Sequence, residues 1–541
     1  MRKKLFASLA VAGLVLLSAC GARTDGDTEG GTGGNGGTDG GSSAAEEQAR
    51  YFGNTDGEPS GTPKDTLNFG AFQVPTALDP VRALGTGTSG GIELHAIYDT
   101  LLTYNPETLE YSPRLAEDFS FNEDGTELTL NLREGVNFTD GTPLNAEAVI
   151  FSLQRHVDTP SRFGAGVGQA TSMEAPDEHT VVLTFDRPNF SFLGDLTNLP
   201  GTVVSPTAVE EQGEEDFGNN PVGAGPYMLE RWAQGEELVL TANPDYWGGE
   251  PKTKNLRFVY LENEETTIDS LSSGAIDVMF TRDPEIGARL QEEFNGFVEP
   301  TSMAQMVFMN NREQYATSDP RLRKAIVHAI DPTVINERAY EGTAIPSKSV
   351  VPEGAALFGA STSLEYDVEA ATALVEEAKA DGFDGTINLM CDQTPAERNV
   401  CQVLQAQFDA VGFSTEVEYR RDKANQVWAM HDFEVSLSYQ AMPDTDIPAN
   451  LWNNYGSTAN TNVNGYNNPN FDSAGIELLG ANSVEDKQAA LAKVQEAFDE
   501  DPPIAMLSTM ATTVGWNDNV FGVVPSGAYT VFLDQAIVGT N

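Results

Sequence analysis

Strand-type and helix-type segments alternate along most of this 541-residue chain, and their order limits the folds that it can adopt. Apolar residues at steps of three and four predict helices around 368–378 and 491–498. Short alternating or continuous apolar runs predict strands at 180–185, 237–242, 255–261, 386–390 and 434–439. Strands interleaved with helices favour an α/β fold with mixed or parallel sheets over a β-sandwich.

Two local patterns make sharper predictions about single elements. Leu94, Ile97, Leu101 and Tyr104 recur at steps of three and four, which predicts one amphipathic helix through all of them. The stretch "FSFNEDGTELTLNL" at 119–132 has an Asp-Gly turn between two strand-type runs and predicts a β-hairpin.

The N-terminus has the layout of a targeting segment. Three basic residues precede a short apolar run at 5–17, which is a signal-peptide core rather than a membrane span. The small residues Ser18 and Ala19 then lead to Cys20, and this arrangement resembles the lipobox of bacterial lipoproteins. The resemblance implies cleavage after residue 19 and acylation of Cys20; an ordinary cleaved signal with a coincidental cysteine is the alternative.

Residues 20–46 are expected to tether a folded body to the membrane. They are dominated by Gly, Ser, Thr, Asp and Glu and contain no large apolar residue, so we expect them to be disordered. The body that begins near residue 47 contains no other apolar run of membrane-spanning length, and we expect it to be soluble.

The net charge limits the kinds of partner that this protein can have, and the compartment decides the state of its cysteines. The net charge of −50 disfavours nucleic acid and anionic lipid as partners, and it suits solubility or a saline habitat. Cys391 and Cys401 are the remaining cysteines, and an oxidising compartment allows either a disulfide between them or two buried thiols.

Recognisable catalytic motifs are missing from the sequence. The five histidines have no metal-site spacing, there is no G-x-S-x-G elbow, and no cysteine has a nucleophile context. Gly85, Gly87 and Gly90 match G-x-G-x-x-G, but no hydrophobic strand leads into them, so a loop before a helix is expected. We therefore expect no enzyme activity, no cofactor and no metal.

The order of motifs along the body resembles family 5 of the bacterial solute-binding proteins, the peptide and nickel class that serves ABC importers. The most characteristic block, 98–155, begins with "YDTLLTYNPETLEYSPRLAEDF". The other matching motifs are "LDP" at 78–80, "PVGAGPY" at 221–227, "NPDYWGG" at 243–249, "GAIDVM" at 274–279, "DPRLRKAIVHAID" at 319–331 and "NGYNNPNFD" at 464–472. We interpret most of these motifs as scaffold, with Arg321 and Arg323 ion-paired on a helix surface.

The resemblance implies a two-lobed, periplasmic-binding-protein-like α/β fold of type II (Venus-flytrap), with an extra subdomain in the first lobe. The first lobe would comprise 47–300 and 506–541, with about 91–205 as the extra subdomain, and 301–505 would form the second lobe. Two crossing strands near "SMAQMVF" and "PPIAMLS" would join the lobes.

The resemblance also implies where cargo is held. Family members grip a peptide as an added strand and hold its ammonium with an Asp four residues before a Pro, which corresponds here to Asp444, with Asp446 as a substitute. The other candidate contacts are Tyr439, Gln440, Ala441 and Met442 before that Asp, Trp452 after it, and Phe72 and Gln73 on the first lobe. Gln440 and Ala441 replace the Gly-Trp pair that is usual in peptide binders, and the carboxylate-binding Arg of dipeptide binders has no match.

Three functional hypotheses remain open. The first is a monomeric, lipid-anchored receptor on the outer face of the cytoplasmic membrane that delivers oligopeptides to ABC permease subunits. The second keeps the receptor but changes the cargo to an oligosaccharide, a metal chelate or another amine. The third, a secreted enzyme or adhesin, is disfavoured by the absence of catalytic motifs.

Overall fold

The computed structural model describes residues 50–55, 57–59, 61–83, 90–159, 161, 163–351, 355, 357–359, 363–441, 445, 447–459, 461–527 and 529–540. Cys20 and the segment 20–46 lie outside these residues. Within them, no helix is long and apolar enough to cross a membrane.

Twelve of the strands form one large mixed sheet. In chain order they are β1 (Tyr51–Phe52), β2 (Thr66–Ala71), β9 (Tyr227–Ala233), β10 (Glu237–Ala242), β11 (Asn255–Tyr260), β12 (Val278–Thr281), β13 (Asn295–Met309), β14 (Ile345–Pro346), β15 (Thr386–Cys391), β16 (Ser414–Tyr419), β17 (Val435–Ala441) and β18 (Ile504–Trp516). The main path runs β16-β15-β17-β13-β18-β12-β2-β11-β10-β9, so β13 and β18 lie in its middle.

The remaining strands form small antiparallel sheets. They are β3 (Leu102–Asn105), β4 (Glu110–Pro113), β5 (Ala116–Phe121), β6 (Glu127–Leu132), β7 (Ala170–Asp177), β8 (Thr180–Phe185), β19 (Val520–Phe521), β20 (Val524–Ser526), β21 (Thr530–Phe532) and β22 (Ile537–Val538). The sheet β5-β6-β8-β7 contains the hairpin predicted at 119–132, with Gly125 in its turn at φ +68°. Glycine tolerates this left-handed conformation at no steric cost.

Helices cover the faces of the sheets. They are α1 (Ile92–Tyr98), α2 (Ala146–Asp158), α3 (Gly164–Val167), α4 (Phe192–Asp195), α5 (Pro206–Gln212), α6 (Glu214–Phe217), α7 (Glu264–Ser272), α8 (Pro284–Glu293), α9 (Pro320–Ala329), α10 (Pro332–Ala339), α11 (Val368–Ala380), α12 (Pro395–Ala410), α13 (Lys423–Asn425), α14 (Ile447–Tyr455), α15 (Pro469–Leu479) and α16 (Val484–Glu500). The predictions for 368–378 and 491–498 are confirmed by α11 and α16, and the five predicted strands correspond to β8, β10, β11, β15 and β17.

The helix predicted through Leu94 and Tyr104 is wrong beyond residue 98. Helix α1 ends at Tyr98 because Asp99 adopts φ +61° and directs its carboxylate inward. That carboxylate accepts hydrogen bonds from the Tyr246 hydroxyl (2.8 Å) and the Trp247 indole (2.9 Å), and it pairs with Arg114. Tyr104 therefore belongs to β3.

Arg323 is a second departure from expectation. Arg321 is ion-paired as expected, with Asp319, Glu377 and Asp381. Arg323, in contrast, is 3% exposed, because its guanidinium donates to the carbonyl oxygens of Thr317 (2.5 Å) and Pro502 (3.0 Å) and pairs with Asp501. It connects helix α9 to the short segment between α16 and β18.

The buried apolar residues fall into separate clusters on the two halves of the large sheet. One cluster contains residues between Leu67 and Phe297 and again between Val514 and Val538; we call this part lobe I. Two clusters contain residues between Ala304 and Leu507; we call this part lobe II. Another, between Leu101 and Ala224, packs around the sheet β5-β6-β8-β7, and we call it the subdomain. The chain enters lobe II along β13 and leaves it along β18.

Cys391 and Cys401 are joined by a disulfide, with their sulfur atoms 1.96 Å apart. Both residues are fully buried in lobe II. Cys391 is the last residue of β15 and Cys401 lies in α12, so the disulfide ties the end of a strand to the helix that follows it.

Replacing both cysteines with alanine should lower the free energy of unfolding by about 2–3 kcal/mol, because the disulfide closes a loop of 10 residues that would otherwise be unrestrained in the unfolded chain. Urea denaturation of the wild type and of Cys391→Ala/Cys401→Ala measures this difference. Reduction of the wild type should give a similar loss, and equal stability of all three samples would contradict the prediction.

Candidate functional site

The carboxyl ends of the parallel strands of both lobes define the candidate site. In lobe I, β2 runs parallel to both β11 and β12; in lobe II, β15 runs parallel to both β16 and β17. Ligands of open α/β sheets bind in the crevice outside such carboxyl ends. Phe72 and Gln73 directly follow β2, and Tyr439, Gln440 and Ala441 end β17.

On lobe I, an aromatic and cationic group surrounds Phe72. Its ring centroid lies 5.7 Å from that of Phe280 in an edge-to-face arrangement. The guanidinium of Arg282 lies 5.8 Å from each of these two rings and 5.6 Å from the ring of Tyr529. Gln73, the next residue, is exposed.

The end of β17 reaches this part of lobe I. Ala441 packs against the same apolar cluster that Phe72 contacts, although the rest of β17 belongs to lobe II. The structure therefore brings Phe72 and Ala441, two candidates from different lobes, to one apolar cluster. Met442, Asp444 and Asp446 lie outside the described residues.

Strand β17 has one fully paired edge and one largely unpaired edge. It pairs with β13 along its whole length, from Met303↔Ala441 to Met309↔Val435. On its other edge it pairs with β15 only at Leu389↔Val435 and Met390↔Ser436. Over the described chain, residues 437–441 have no partner strand on that side.

Hydrogen bonds show which residues of β17 face the unpaired edge. The N–H of Asn310, beyond the end of β13, donates to the carbonyl oxygen of Glu434 (2.9 Å), so even-numbered residues direct their backbone groups toward β13. Odd-numbered residues face the other way, as the side-chain bonds to the carbonyl oxygens of Leu437 and Ala441 show. The backbone groups of Tyr439 therefore point to the unpaired edge.

Two side chains donate hydrogen bonds to the carbonyl groups at the ends of this edge. The ammonium of Lys423 donates to the carbonyl oxygen of Leu437 (2.9 Å), and the amide of Asn450 donates to that of Ala441 (3.1 Å). Between them, the N–H and C=O of Tyr439 and the N–H of Ala441 have no partner among the described residues. We call these three groups the free edge.

The two faces of β17 near the free edge carry different polar groups. On one face, the amide of Gln305 donates to the hydroxyl oxygens of Tyr439 (2.9 Å) and Tyr340 (2.5 Å), and burial raises the pKa of the Tyr439 hydroxyl far above its usual value. On the other face, the Tyr455 hydroxyl donates to the side-chain oxygen of Gln440 (2.7 Å). The side-chain nitrogen of Gln440 has no partner in the described structure.

A buried carboxyl group lies at the corresponding end of lobe I. Glu93, in the first turn of α1, accepts a hydrogen bond from the hydroxyl of Tyr260 (3.3 Å), the last residue of β11. Burial raises the pKa of the Glu93 carboxyl to about 7. Among the described residues, no group of His, Cys, Asp or Glu is arranged to hold a metal ion.

Trp452 lies where lobe II meets the subdomain, rather than in the group around Phe72 and Ala441. It is 7% exposed, and the Arg187 guanidinium lies 5.3 Å from its ring. Next to it, the Gln169 amide donates to the side-chain oxygen of Asn453 (3.3 Å). These residues line a crevice of about 250 Å³.

Sequence reasoning missed two charged residues and one amide side chain that shape the site. None of the recognised motifs contains Lys423, Asn450 or Arg282. Their roles depend on strands that are distant in the chain. One local signal was available for Arg282, since it directly follows the buried strand β12 at a carboxyl end.

Comparisons with known proteins find relatives of this chain. The family model of bacterial extracellular solute-binding proteins, family 5 middle, matches residues 110–462. The chain is 26% identical over 373 residues to the probable D,D-dipeptide-binding periplasmic protein DdpA of Escherichia coli K12, covering 66% of this chain and 71% of that protein. It is 30% identical over 348 residues to the glutathione-binding protein GsiB of Escherichia coli O157:H7, covering 63% and 67%.

A solved structure shows the same fold. The dipeptide-binding protein of Pseudoalteromonas sp. SM9913, in complex with Met-Leu, has a TM-score of 0.72 at 22% identity, covering 87% of this chain and 100% of that one. The fold is thus the expected two-lobed, type II α/β fold with an extra subdomain. Because the family model matches more than half of the chain, the protein belongs to family 5 of the bacterial extracellular solute-binding proteins, which are periplasmic or extracellular binding components of ABC importers rather than enzymes.

Proposed function

We propose that this protein is the lipid-anchored receptor of an ABC importer and that it captures oligopeptides by pairing their main chain with the free edge of β17. The observation that carries the proposal is the free edge itself, at a point where both lobes meet. Tyr439 offers a backbone donor and acceptor, and Ala441 offers a second donor. A peptide in extended conformation has the complementary groups at the matching spacing.

Strand addition suits a receptor that must accept different sequences. Main-chain hydrogen bonds supply affinity without reading side chains, and the side chains of the added strand alternate between two pockets. Here one pocket would have Tyr439 and Tyr340 in its wall, and the other Gln440. The ligands for which similar proteins are named point to the same chemistry, since a D,D-dipeptide, glutathione and Met-Leu are all small peptides.

The ammonium of the peptide needs a carboxylate partner. We assign this role to Asp444, with Asp446 as the substitute, because the family places an Asp four residues before a Pro directly after the peptide-pairing strand. A buried ammonium without such a partner would be strongly disfavoured.

A non-peptide cargo is the alternative, and Gln440 is the observation that favours it. Its unpartnered amide nitrogen stands where peptide-binding relatives usually have the Gly of a Gly-Trp pair. An oligosaccharide or a metal chelate offers acceptor oxygens for such a donor. A neutral sugar would not need Asp444, whereas an amine would.

Delivery to the permease requires an anchor and a closing motion. We propose that Cys20 carries the lipid, that 21–46 form the tether, and that residues 47–300 with 506–541 close on residues 301–505. The separate apolar clusters and the crossings along β13 and β18 support these boundaries. The subdomain cluster extends to Ala224, somewhat beyond the expected 91–205.

Native mass spectrometry of the full chain, purified in detergent from a peptide-rich medium, should show a ladder of adducts with peptide masses. In Asp444→Ala we expect affinity to fall at least thirtyfold, because the buried ammonium loses its partner. Asp446→Ala is the matched control and should keep the ladder. A single non-peptide adduct in the wild type would refute the peptide proposal, and loss in Asp446→Ala alone would move the anchor to that residue.

Ala441→Pro should weaken peptide binding about tenfold, because proline removes the N–H that faces the free edge. Its bonds to β13 should survive, since residue 441 does not use its N–H on that side. Ala441→Ser keeps the N–H and serves as the control. Titration of both variants with tetra-alanine by calorimetry measures the effect, and equal affinities would exclude strand addition at this residue.

The subdomain and lobe II are in contact in this structure, which we take as the closed conformation, and cargo should increase the population of this contact. A Cβ atom on Gly480 would lie 3.0 Å from that of Pro188, so a slight separation brings the pair into disulfide range. In Pro188→Cys/Gly480→Cys, we expect tri- to hexa-alanine to accelerate cross-linking severalfold. The control is Ala77→Cys/Gly218→Cys, a 3.7 Å pair within lobe I, whose rate should not change. No acceleration in the first variant would contradict closure.

A further inference from the structure

We propose that Lys423 with Glu397 at one end of the free edge, and Asn450 at the other, set the register of the cargo strand and limit the length over which its main chain is read. The inference rests on the proposed peptide function and adds to it the residues that determine cargo length.

Lys423 uses all of its hydrogen-bonding capacity within the protein. Its ammonium lies 2.6 Å from each carboxylate oxygen of Glu397 and 2.9 Å from the carbonyl oxygen of Leu437. An ammonium has three donors, so none remains for cargo. The two side chains are 10% and 8% exposed, so water does not compete strongly for either.

The ion pair stands at the point where β15 leaves β17. Met390↔Ser436 is the last pair between these strands, and Leu437 is the next residue of β17. Asp392, the first residue after β15, donates its N–H to Glu397 (2.7 Å). The ammonium thus takes the backbone acceptor that a continuing strand would use, as inward-pointing lysines do at protected sheet edges.

The ion pair is also held in position. Glu397 lies in the first turn of α12, and the same helix contains Cys401, whose disulfide to Cys391 joins it to the end of β15. A cargo strand that begins at Tyr439 would therefore meet a fixed ammonium–carboxylate pair in its path. Because this pair is neutral overall and its ammonium has no donor left, it stops the strand without providing a net charge to anchor a charged terminus.

Asn450 has the corresponding role at the other end. Its amide donates to the carbonyl oxygen of Ala441 (3.1 Å), which would otherwise be the next acceptor along the edge. Only the carbonyl of Tyr439 is then left to accept a cargo N–H along the described part of β17. At about 3.3 Å per residue, the edge from Tyr439 to Ala441 accommodates roughly three cargo residues.

The test replaces the ion pair with neutral side chains of similar shape. In Lys423→Met/Glu397→Gln no unpaired charge remains, and the carbonyl of Leu437 becomes free for a cargo residue two positions further along. Full-length wild type and variant are mixed with equimolar tri-, tetra-, penta- and hexa-alanine and examined by native mass spectrometry. We expect the variant to shift toward peptides about two residues longer, by about three- to tenfold in relative occupancy.

The control is Lys493→Met/Glu477→Gln, which makes the same substitutions in an exposed ion pair of lobe II (2.7 Å) and should leave the length distribution unchanged. An unchanged length distribution in Lys423→Met/Glu397→Gln overturns the inference that this ion pair limits cargo length, but it leaves the proposed peptide binding intact. If the wild type binds none of the alanine peptides, the peptide function itself fails, and the inference fails with it.

A second measurement needs no protein variant. It uses hexa-alanine analogues in each of which one amide is replaced by an ester, which has no N–H to donate. In an extended strand, N–H groups two residues apart point to the same side. Next to β17 only one ester of such a pair should weaken binding to the wild type, because Tyr439 offers the only free carbonyl group along the described part of this edge. If two esters on that side weaken binding equally, Leu437 also accepts from cargo and the inference is wrong.

Discussion

The pairing of β13 with β18 is the interaction on which the rest of the structure depends. These antiparallel strands of 15 and 13 residues pair from Asn295↔Trp516 in lobe I to Phe308↔Ile504 in lobe II. Lobe I attaches to this ladder through β12 and lobe II through β17, so both lobes share one backbone scaffold. The ladder changes register between Glu299 and Met303, where the chain passes from one apolar cluster to the next. Such irregularities raise local twist and interrupt pairing, which makes this region the natural place for bending between lobes.

The same scaffold explains why the candidate site arises beside it. Backbone N–H and C=O groups are costly to bury without partners, and the free edge leaves three such groups where lobe II meets lobe I. The fold confines this cost by satisfying the neighbouring carbonyl groups with Lys423 and Asn450. A buried ion pair contributes little net stability compared with well-packed apolar side chains. The ion pair between Lys423 and Glu397 is therefore better explained by the Leu437 carbonyl group that it satisfies than by the stability that it contributes.

Local patterns predicted local structure well, whereas buried charges were beyond sequence reasoning. The hairpin turn at Gly125 and the helices α11 and α16 depend on neighbouring residues, and the ordered family motifs were enough to predict the two-lobed fold. The helix that ends at Tyr98 was extended too far, because a buried Asp99 turns inward to partners that come 15 to 148 residues later. The surface placement predicted for Arg323 is wrong for the same reason, and the sequence offered no prediction for the pair Lys423–Glu397. A charged residue is normally exposed, and only tertiary contacts reveal the partners that allow its burial.

Main-chain recognition and side-chain selectivity are separated in this site. Under the proposed strand addition, the free edge would bind any extended peptide, so selectivity would come from the two faces of β17 and from the electrostatic field of the protein. One face presents the hydroxyl groups of Tyr439 and Tyr340, and the other the amide of Gln440. With a net charge of −50, the protein attracts cations and repels anions over about a Debye length of 8–10 Å. Because Glu397 neutralises Lys423 beside the edge, the local charges do not oppose this preference. Neutral and cationic peptides with polar side chains are therefore the cargo that the charge distribution and the geometry favour together.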